Sequence, residues 1–222
     1  STMDSCGSVR MFANNGDGTF TDRTREAGLA DELGGLNIVA GDYDNDGCLD
    51  LLVLRGGWEQ LPQPLSLLHN DCHGTFTNVT AAAGLTTPSV TQTAVWTDVD
   101  NDGWLDLFVG NENAPAELFH NTGHGTFENI ATAAGVDRIA YTKGVTAGDY
   151  DNDGYPDLYV SNYGDTNFLY HNNRNGTFTE VSRAAGVTGT PTGFATWFFD
   201  YDNDGWTDLF VTSYVSSVDE MV

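Results

Sequence analysis

The stretch DYDNDGCLD, Asp42–Asp50, places carboxylates at positions 1, 3, 5 and 9 of nine residues, with glycine at position 6. Carboxylates at positions 1, 3 and 5 of a tight loop converge on one point. The glycine lets the backbone turn, the carbonyl of position 7 can face the same point, and an acid at position 9 closes the cage. Such a loop offers roughly six or seven oxygens and no nitrogen or sulfur, the donor set of a hard cation such as Ca²⁺. Mg²⁺ demands tighter octahedral geometry and keeps several waters. The competing reading is a solvated turn, because Asp, Asn and Gly all favour turns.

The stretch recurs as DVDNDGWLD from Asp98, DYDNDGYPD from Asp149 and DYDNDGWTD from Asp200, with starts 56, 51 and 51 residues apart. A turn needs one or two such residues, and four crowded carboxylates without a cation would repel one another at every site. The recurrence therefore favours the metal reading. The expected ligands are Asp42, Asp44, Asp46 and Asp50; Asp98, Asp100, Asp102 and Asp106; Asp149, Asp151, Asp153 and Asp157; Asp200, Asp202, Asp204 and Asp208. The carbonyls of Cys48, Trp104, Tyr155 and Trp206 stand at position 7. The first half of each loop has the spacing of an EF-hand loop, but the closing acid comes earlier and the flanks are β-type runs.

A second motif keeps step with the first. Its Gly-Thr-Phe begins at Gly18, Gly74, Gly125 and Gly176, again 56, 51 and 51 residues apart. Two motifs at matched offsets mark one supersecondary unit repeated, with a period that suits a propeller or solenoid. Each unit reads as four short strands. Strand A precedes the acidic loop (Asn37–Gly41), and strand B follows it (LDLLVL, LDLFVG, PDLYVS, TDLFVT). Strand C ends in His-Asn or a related pair, and strand D is the GTF segment. These are β-branched and aromatic runs bounded by Gly, Asn and Asp. Strand B is apolar at nearly every position, as a strand covered on both faces should be. The AAGL or AAGV that follows strand D reads as one helical turn closed by glycine. The fold class is all-β, and four-stranded antiparallel sheets repeated radially make a β-propeller.

The phase gives a half blade at 9–23, blades at 37–80, 93–131 and 143–182, and a half blade at 195–212. The chain thus holds four blade equivalents in a single propeller domain or propeller segment. Three arrangements satisfy the split unit: a four-bladed ring within one chain, a homodimer closing an eight-bladed ring, or a segment of a longer propeller. An open arc would expose unpaired strand edges, a liability.

The 222 residues include 32 Asp+Glu against 8 Lys+Arg, a formal charge of −24. Sixteen of the acids lie in the four loops. Hydrophobic residues make up 40% and aromatics 12%, which separates the chain from a disordered acidic tail. Nucleic acid is excluded as a partner, because phosphate binding needs clustered Lys and Arg. No apolar run is long enough for a membrane span, and the N-terminus lacks the basic and apolar regions of a signal peptide. The three cysteines form neither a zinc pattern nor a disulfide framework. Cys48 and Cys72 fall in neighbouring turns of one blade, where a disulfide would fit, with two separate thiols as the default; Cys6 has no visible partner.

Other constellations read as structural. His69, His120 and His171 share one repeat position on different blades, so they are not expected to meet at one metal. His73 and His124 alternate with Asp17 and Asn175 at an exposed turn. Trp96 and Trp197, in strand A, are expected in the core, while Trp104 and Trp206 sit beside acidic loops. Trp58 and Tyr163 lie in loops that do not repeat, where recognition on a rigid scaffold tends to sit. Asn78 and Asn175 lie in N-x-S/T sequons, which matter only for a eukaryotic source.

The combination of D-x-D-x-D-G-x-x-D between strands A and B with a period near fifty residues resembles the FG-GAP/VCBS repeats of integrin α propellers. The NGDGTFTD and AAGL segments look closer to bacterial VCBS-repeat proteins and the cartilage acidic protein group. The resemblance runs from about Val9 to Val211. It departs from the family in lacking most Phe-Gly and Gly-Ala-Pro signatures; only Asn113–Phe119 is similar to the second. The family's propellers commonly have seven blades, and this chain supplies four. The resemblance implies Ca²⁺ in the loops on one face of the propeller and partners on the other. The expected function is a calcium-binding extracellular binding or adhesion module, about four Ca²⁺ per chain, with a protein or glycan ligand on the face away from calcium. The alternative is the propeller scaffold of a carbohydrate-active lyase or hydrolase. The sequence holds no nucleophile elbow, HExxH or phosphate loop, so no catalytic residue is assigned.

Overall fold

The computed structural model describes residues 7–56, 62–189 and 192–214. It is an all-β chain with a β-propeller-like, curled arrangement of sheets. A hairpin of β1 (Phe12–Asn14) and β2 (Phe20–Asp22) comes first. Next β3 (Asn37–Gly41), β4 (Asp50–Leu54), β5 (Ser66–Asn70) and β6 (Phe76–Asn78) form a four-stranded antiparallel meander, followed by the single turn α1 (Thr80–Ala83). The pattern repeats in β7 (Thr91–Thr97), β8 (Asp106–Pro115), β9 (Glu117–Asn121), β10 (Phe127–Asn129) and α2 (Ala131–Ala134). It repeats again in β11 (Ile139–Gly148), β12 (Asp157–Asn162), β13 (Phe168–Asn172), β14 (Phe178–Glu180) and α3 (Ser182–Ala185). The pair β15 (Gly193–Phe199) and β16 (Asp208–Ser213) ends the described chain.

Within each complete unit the strands pair with the same register. Leu51, Leu107 and Leu158 on the second strand face Leu68, Phe119 and Tyr170 on the third. The second and third meanders are also joined edge to edge. The long β8 and β11 pair at Ile139↔Pro115, Ala140↔Ala114 and Tyr141↔Glu112, ends remote from the acidic loops, making one eight-stranded sheet. The single helical turns close on left-handed glycines, Gly84, Gly135 and Gly186 at φ 82°, 79° and 77°. No helix among the described residues is long and apolar enough to cross a membrane.

The core lies between consecutive sheets. Leu52 and Leu54 of β4 pack with Leu107 and Val109 of β8, while Val53 faces the other way toward Val9, Ala27 and Leu29. Phe108 points to a third cluster with Leu158, Val160 and Tyr170. The second strand of each unit is therefore covered on both faces, which explains its unbroken apolar run.

The pairs β1–β2 and β15–β16 form separate two-stranded sheets and do not pair with each other. One expectation fails for this reason. Trp96 is partly buried against the core, but Trp197 stands one position out of register with it, facing Phe210 as Val95 faces Phe108, and is 50% exposed, because among the described residues no following sheet covers that face of β15. Trp58 and Cys6 lie outside the described residues.

Candidate metal centres and the opposite cleft

The four acidic loops are built alike, and their backbone explains their sequence. Position 4 is Asn in the left-handed region (Asn45, Asn101, Asn152 and Asn203, φ 58°, 60°, 57° and 60°), a conformation Asn tolerates. Position 6 is glycine with φ near 90°: Gly47, Gly103, Gly154 and Gly205. Position 1 caps the turn: Asp42 accepts from the N–H groups of Asp46 and Gly47 at 3.1 and 3.0 Å. Asp98, Asp149 and Asp200 do the same. Position 5 folds back onto the N–H of position 7, at 2.8 Å for Asp46 and Cys48, 2.9 Å for Asp102 and Trp104, and 2.8 Å for both Asp153–Tyr155 and Asp204–Trp206.

The carboxylate at position 9 is wholly buried in the three complete units. Asp50 accepts from Tyr43 N and Asn70 N, Asp106 from Val99 N and Asn121 N, and Asp157 from Tyr150 N and Asn172 N. It thus joins the acidic loop to the third strand. Burial pushes the Asp106 and Asp157 carboxyls up to about 6, against the pull of those N–H donors. Burial also raises Asp50, and it raises Asp100, where the neighbouring Asp102 adds to the effect.

Carboxylate oxygens of Asp42, Asp44 and Asp46 lie within 4.8 Å of one another. Asp44 Oδ1 and Asp151 Oδ1 are buried without a hydrogen-bond partner. Crowded oxygens, two of them unpartnered, and carboxyls that burial drives toward neutrality make a donor set that fits a hard divalent cation. The residues that would hold it are the aspartates at positions 1, 3, 5 and 9.

Three features were not read from the sequence. The repeated histidines each stand at their own loop: His69 Nδ1 is 3.1 Å from Asp44 Oδ2 and 3.2 Å from Asp50 Oδ1. His120 and His171 make the same approach to positions 3 and 9 of theirs. The position 4 asparagines link loops of successive units, Asn45 Nδ2 donating to Gly103 O, Asn101 to Gly154 O and Asn152 to Gly205 O, at 2.8–2.9 Å. The Asn after two of the histidines does similar work: Asn121 Nδ2 donates to Tyr43 O and Asn172 Nδ2 to Val99 O, each in the preceding unit, while Asn70 donates to Leu49 O of its own unit. The signal was present as strict recurrence of Asn, but turn preference explained it equally well.

Cys48 and Cys72 form a disulfide, which corrects the default of two separate thiols. Position 7 of the loop and the third-to-fourth-strand turn are adjacent, so the pair lies at bonding distance. The same two positions are clamped differently elsewhere. Gly123 lies so close to the Trp104 indole that a Cβ would fall 2.9 Å from its Nε1. Arg174 sits 6.0 Å over the Tyr155 ring and pairs with Asp153 at 2.7 Å. His73 and His124 are exposed, as their turn positions imply.

At the strand ends remote from the loops, Tyr141, Lys143, Tyr163, Phe194 and Tyr214 line a cleft of about 380 Å³. Lys143 and Glu112 form a buried ion pair there, and the ammonium lies 4.2 Å over the Tyr141 ring. Tyr163, singled out by its non-repeating loop, is 41% exposed in this cleft.

Repeated antiparallel meanders, each with an aspartate-rich loop between its first two strands, define a propeller-type repeat protein. The chain matches the FG-GAP-like repeat family over residues 2–53, 98–160 and 152–211, and it belongs to that family. Among characterised relatives, cartilage acidic protein 1 of Xenopus tropicalis is 31% identical over 138 residues, 61% of this chain and 21% of the relative. The mouse and human proteins of that name are each 42% identical over 66 residues, 29% of this chain and 10% of theirs. The chain therefore spans about a tenth to a fifth of the length of these relatives.

Proposed function

We propose that the chain is a calcium-binding β-propeller unit of four blade equivalents that serves as an extracellular binding or adhesion module. The carrying observation is the four-fold identity of the acidic loops, with unpartnered oxygens on Asp44 and Asp151. Calcium here is structural. It would tie the first two strands of each blade at the point where their carboxylates otherwise repel. A disulfide on the first loop suits an oxidising compartment, and extracellular calcium sites work at about millimolar concentration. The relatives' name, cartilage acidic protein, agrees with an acidic chain in such a setting. Recognition falls to the face away from the loops, where the Tyr141–Tyr214 cleft joins rings and a buried ion pair, groups suited to a protein or glycan ligand. No catalytic role is assigned to it.

Calorimetric titration of the chelator-stripped protein is expected to give about four Ca²⁺ per chain at affinities near millimolar. Excess EDTA should lower the melting temperature, because ligand bound only by the native state stabilises it by mass action. An unchanged melt overturns the metal reading. A glycan array with and without Ca²⁺ then separates sugar recognition from protein adhesion.

A further inference from the structure

Each complete unit carries, beside its acidic loop, a donor that the oxygen cage does not use. His69 Nδ1 stands 3.1 Å from Asp44 Oδ2 and 3.2 Å from Asp50 Oδ1. His120 Nδ1 stands 3.6 Å from Asp100 Oδ2 and 3.1 Å from Asp106 Oδ1, and His171 Nδ1 3.4 Å from Asp151 Oδ2 and 3.3 Å from Asp157 Oδ1. One imidazole nitrogen thus meets a carboxylate oxygen of position 3 and one of position 9 in all three units. In the first two units, donor atoms of the three residues all lie within 4.8 Å of one another.

Hydrogen bonding does not account for this geometry. Nδ1 of His69 and of His171 is buried and bonds to neither carboxylate; His120 alone makes such a bond, to Asp106 Oδ1. A ring nitrogen this close to two oxygens and aligned with neither is placed as one corner of a donor set around a shared cation. A four-coordinate cation about 2.1 Å from each donor holds the donors roughly 3.4 Å apart, and the six separations of 3.1–3.6 Å bracket that value. Position 3 can serve two cations at once. Its Oδ2 turns to the imidazole, while Oδ1 of Asp44 and of Asp151 is buried without a partner and is left for the loop's own ion. The other donors are held in place beforehand. Position 9 is wholly buried, and the rings of Tyr43 and Tyr150 stand edge-on to His69 and His171, with centroids 6.3 and 6.1 Å apart.

We propose that each of these three units holds a second cation, a borderline transition metal of the Zn²⁺ class, bound in the first unit by His69 Nδ1, Asp44 Oδ2 and Asp50 Oδ1 and in the other two by the same three positions. The nitrogen decides the class of metal. Ca²⁺ takes oxygen ligands, whereas a set of one imidazole and two carboxylates suits Zn²⁺ and its neighbours. The histidines and the position 3 aspartates keep 26–36% of their side-chain surface exposed, so water can complete the coordination. The fourth loop, Asp200–Asp208, has no histidine beside it among the described residues and binds no such ion. The inference does not rest on calcium, so failure of the calcium titration leaves it standing.

Co²⁺, a coloured stand-in for Zn²⁺, supplies the test. Chelator-stripped protein is titrated with Co²⁺ in excess Ca²⁺ and, separately, without it. The intense visible absorption of four-coordinate Co²⁺ is expected in both series, saturating at one equivalent for each histidine-bearing unit, and Zn²⁺ should bleach it. His69→Gln should remove one of these equivalents. The triple variant that adds His120→Gln and His171→Gln should remove all of them, with calcium stoichiometry and the circular dichroism spectrum unchanged. His73→Gln, in an exposed turn, should change nothing. A parent protein that gives no such absorption overturns the proposal whatever the variants do. Absorption that survives in the triple variant overturns it too, as does absorption that excess Ca²⁺ erases, since cobalt would then sit in the oxygen cage. Loss of calcium sites in the triple variant also overturns it, because the histidines would then serve that cage and not a cation of their own.

Discussion

At the residue scale the aspartates of one loop are not equivalent. Asp106 accepts hydrogen bonds from Val99 N and Asn121 N and is wholly buried, whereas the Asp100 side chain is 36% exposed, its carboxyl raised first by partial burial and then by the neighbouring Asp102. Removing the Asp106 acceptor strands two buried N–H groups, each costing about 1–3 kcal/mol. Asp106→Ala is therefore expected to destabilise the protein by about 2–6 kcal/mol in EDTA as well as in calcium. Asp100→Asn relieves like-charge repulsion, so its melting temperature in EDTA should equal or exceed that of the parent, with a smaller rise on adding Ca²⁺. Chemical denaturation of both variants with and without calcium checks this, and equal losses in EDTA would contradict it. From the sequence, position 9 was expected only as an acid closing a cage. The role that the structure shows, accepting the N–H of a residue 15–20 positions away in the third strand, was not legible, because it depends on a register that no local motif encodes. The histidines do stay apart as expected, but their approach to their own loops was not read, for a related reason. Separation around a ring rules out one shared metal, yet places each imidazole beside its own carboxylates.

At the element scale, position 7 and the third-to-fourth-strand turn show one geometric requirement met by a disulfide, by an indole on glycine, and by an arginine over a tyrosine. The strands themselves were legible, since hydrophobic runs, glycine turns and the repeat phase all agree. The clamp could have been found by setting the copies side by side, since Trp104 with Gly123 and Cys48 with Cys72 occupy matched positions; each pair taken alone carries no signal. The edge pairing of β8 with β11 was not foreseen, because it rests on the extra length of those two strands beyond the common repeat. The disulfide links residues 24 apart, and a cross-link of that span constrains the unfolded chain by about 3 kcal/mol. Cys48→Ser with Cys72→Ser is expected to lower stability by up to that amount while leaving calcium stoichiometry unchanged, because neither thiol is needed as a ligand. Titration of the double variant reads the stoichiometry directly, and loss of one site would show that the clamp also shapes the first loop.

At the scale of the whole molecule, the open ends and the charge act together. The split of the repeat was legible from phase alone, but which residues remain exposed was not; Trp197 was expected in the core and is 50% exposed, because among the described residues no sheet covers that face of β15. Sixteen of the 32 acidic residues sit in loops that recur at one end of every unit, so self-repulsion opposes the compact state most where carboxylates are densest. Four divalent ions would add eight positive charges and bring −24 to −16. Salt should therefore act oppositely in the two forms. Without calcium, raising NaCl from about 0.01 M to about 0.1 M shortens the Debye length from about 30 to about 10 Å, which screens repulsion between loops and raises the melting temperature. With calcium bound, the strongest repulsion is already neutralised at close range, where mobile ions screen poorly, and added salt weakens cation binding instead. The melting temperature in Ca²⁺ should then stay flat or fall over the same range. Parallel thermal melts across that range in EDTA and in Ca²⁺ decide the matter, and equal upward slopes in both would mean that the loop carboxylates are not where the charge is held.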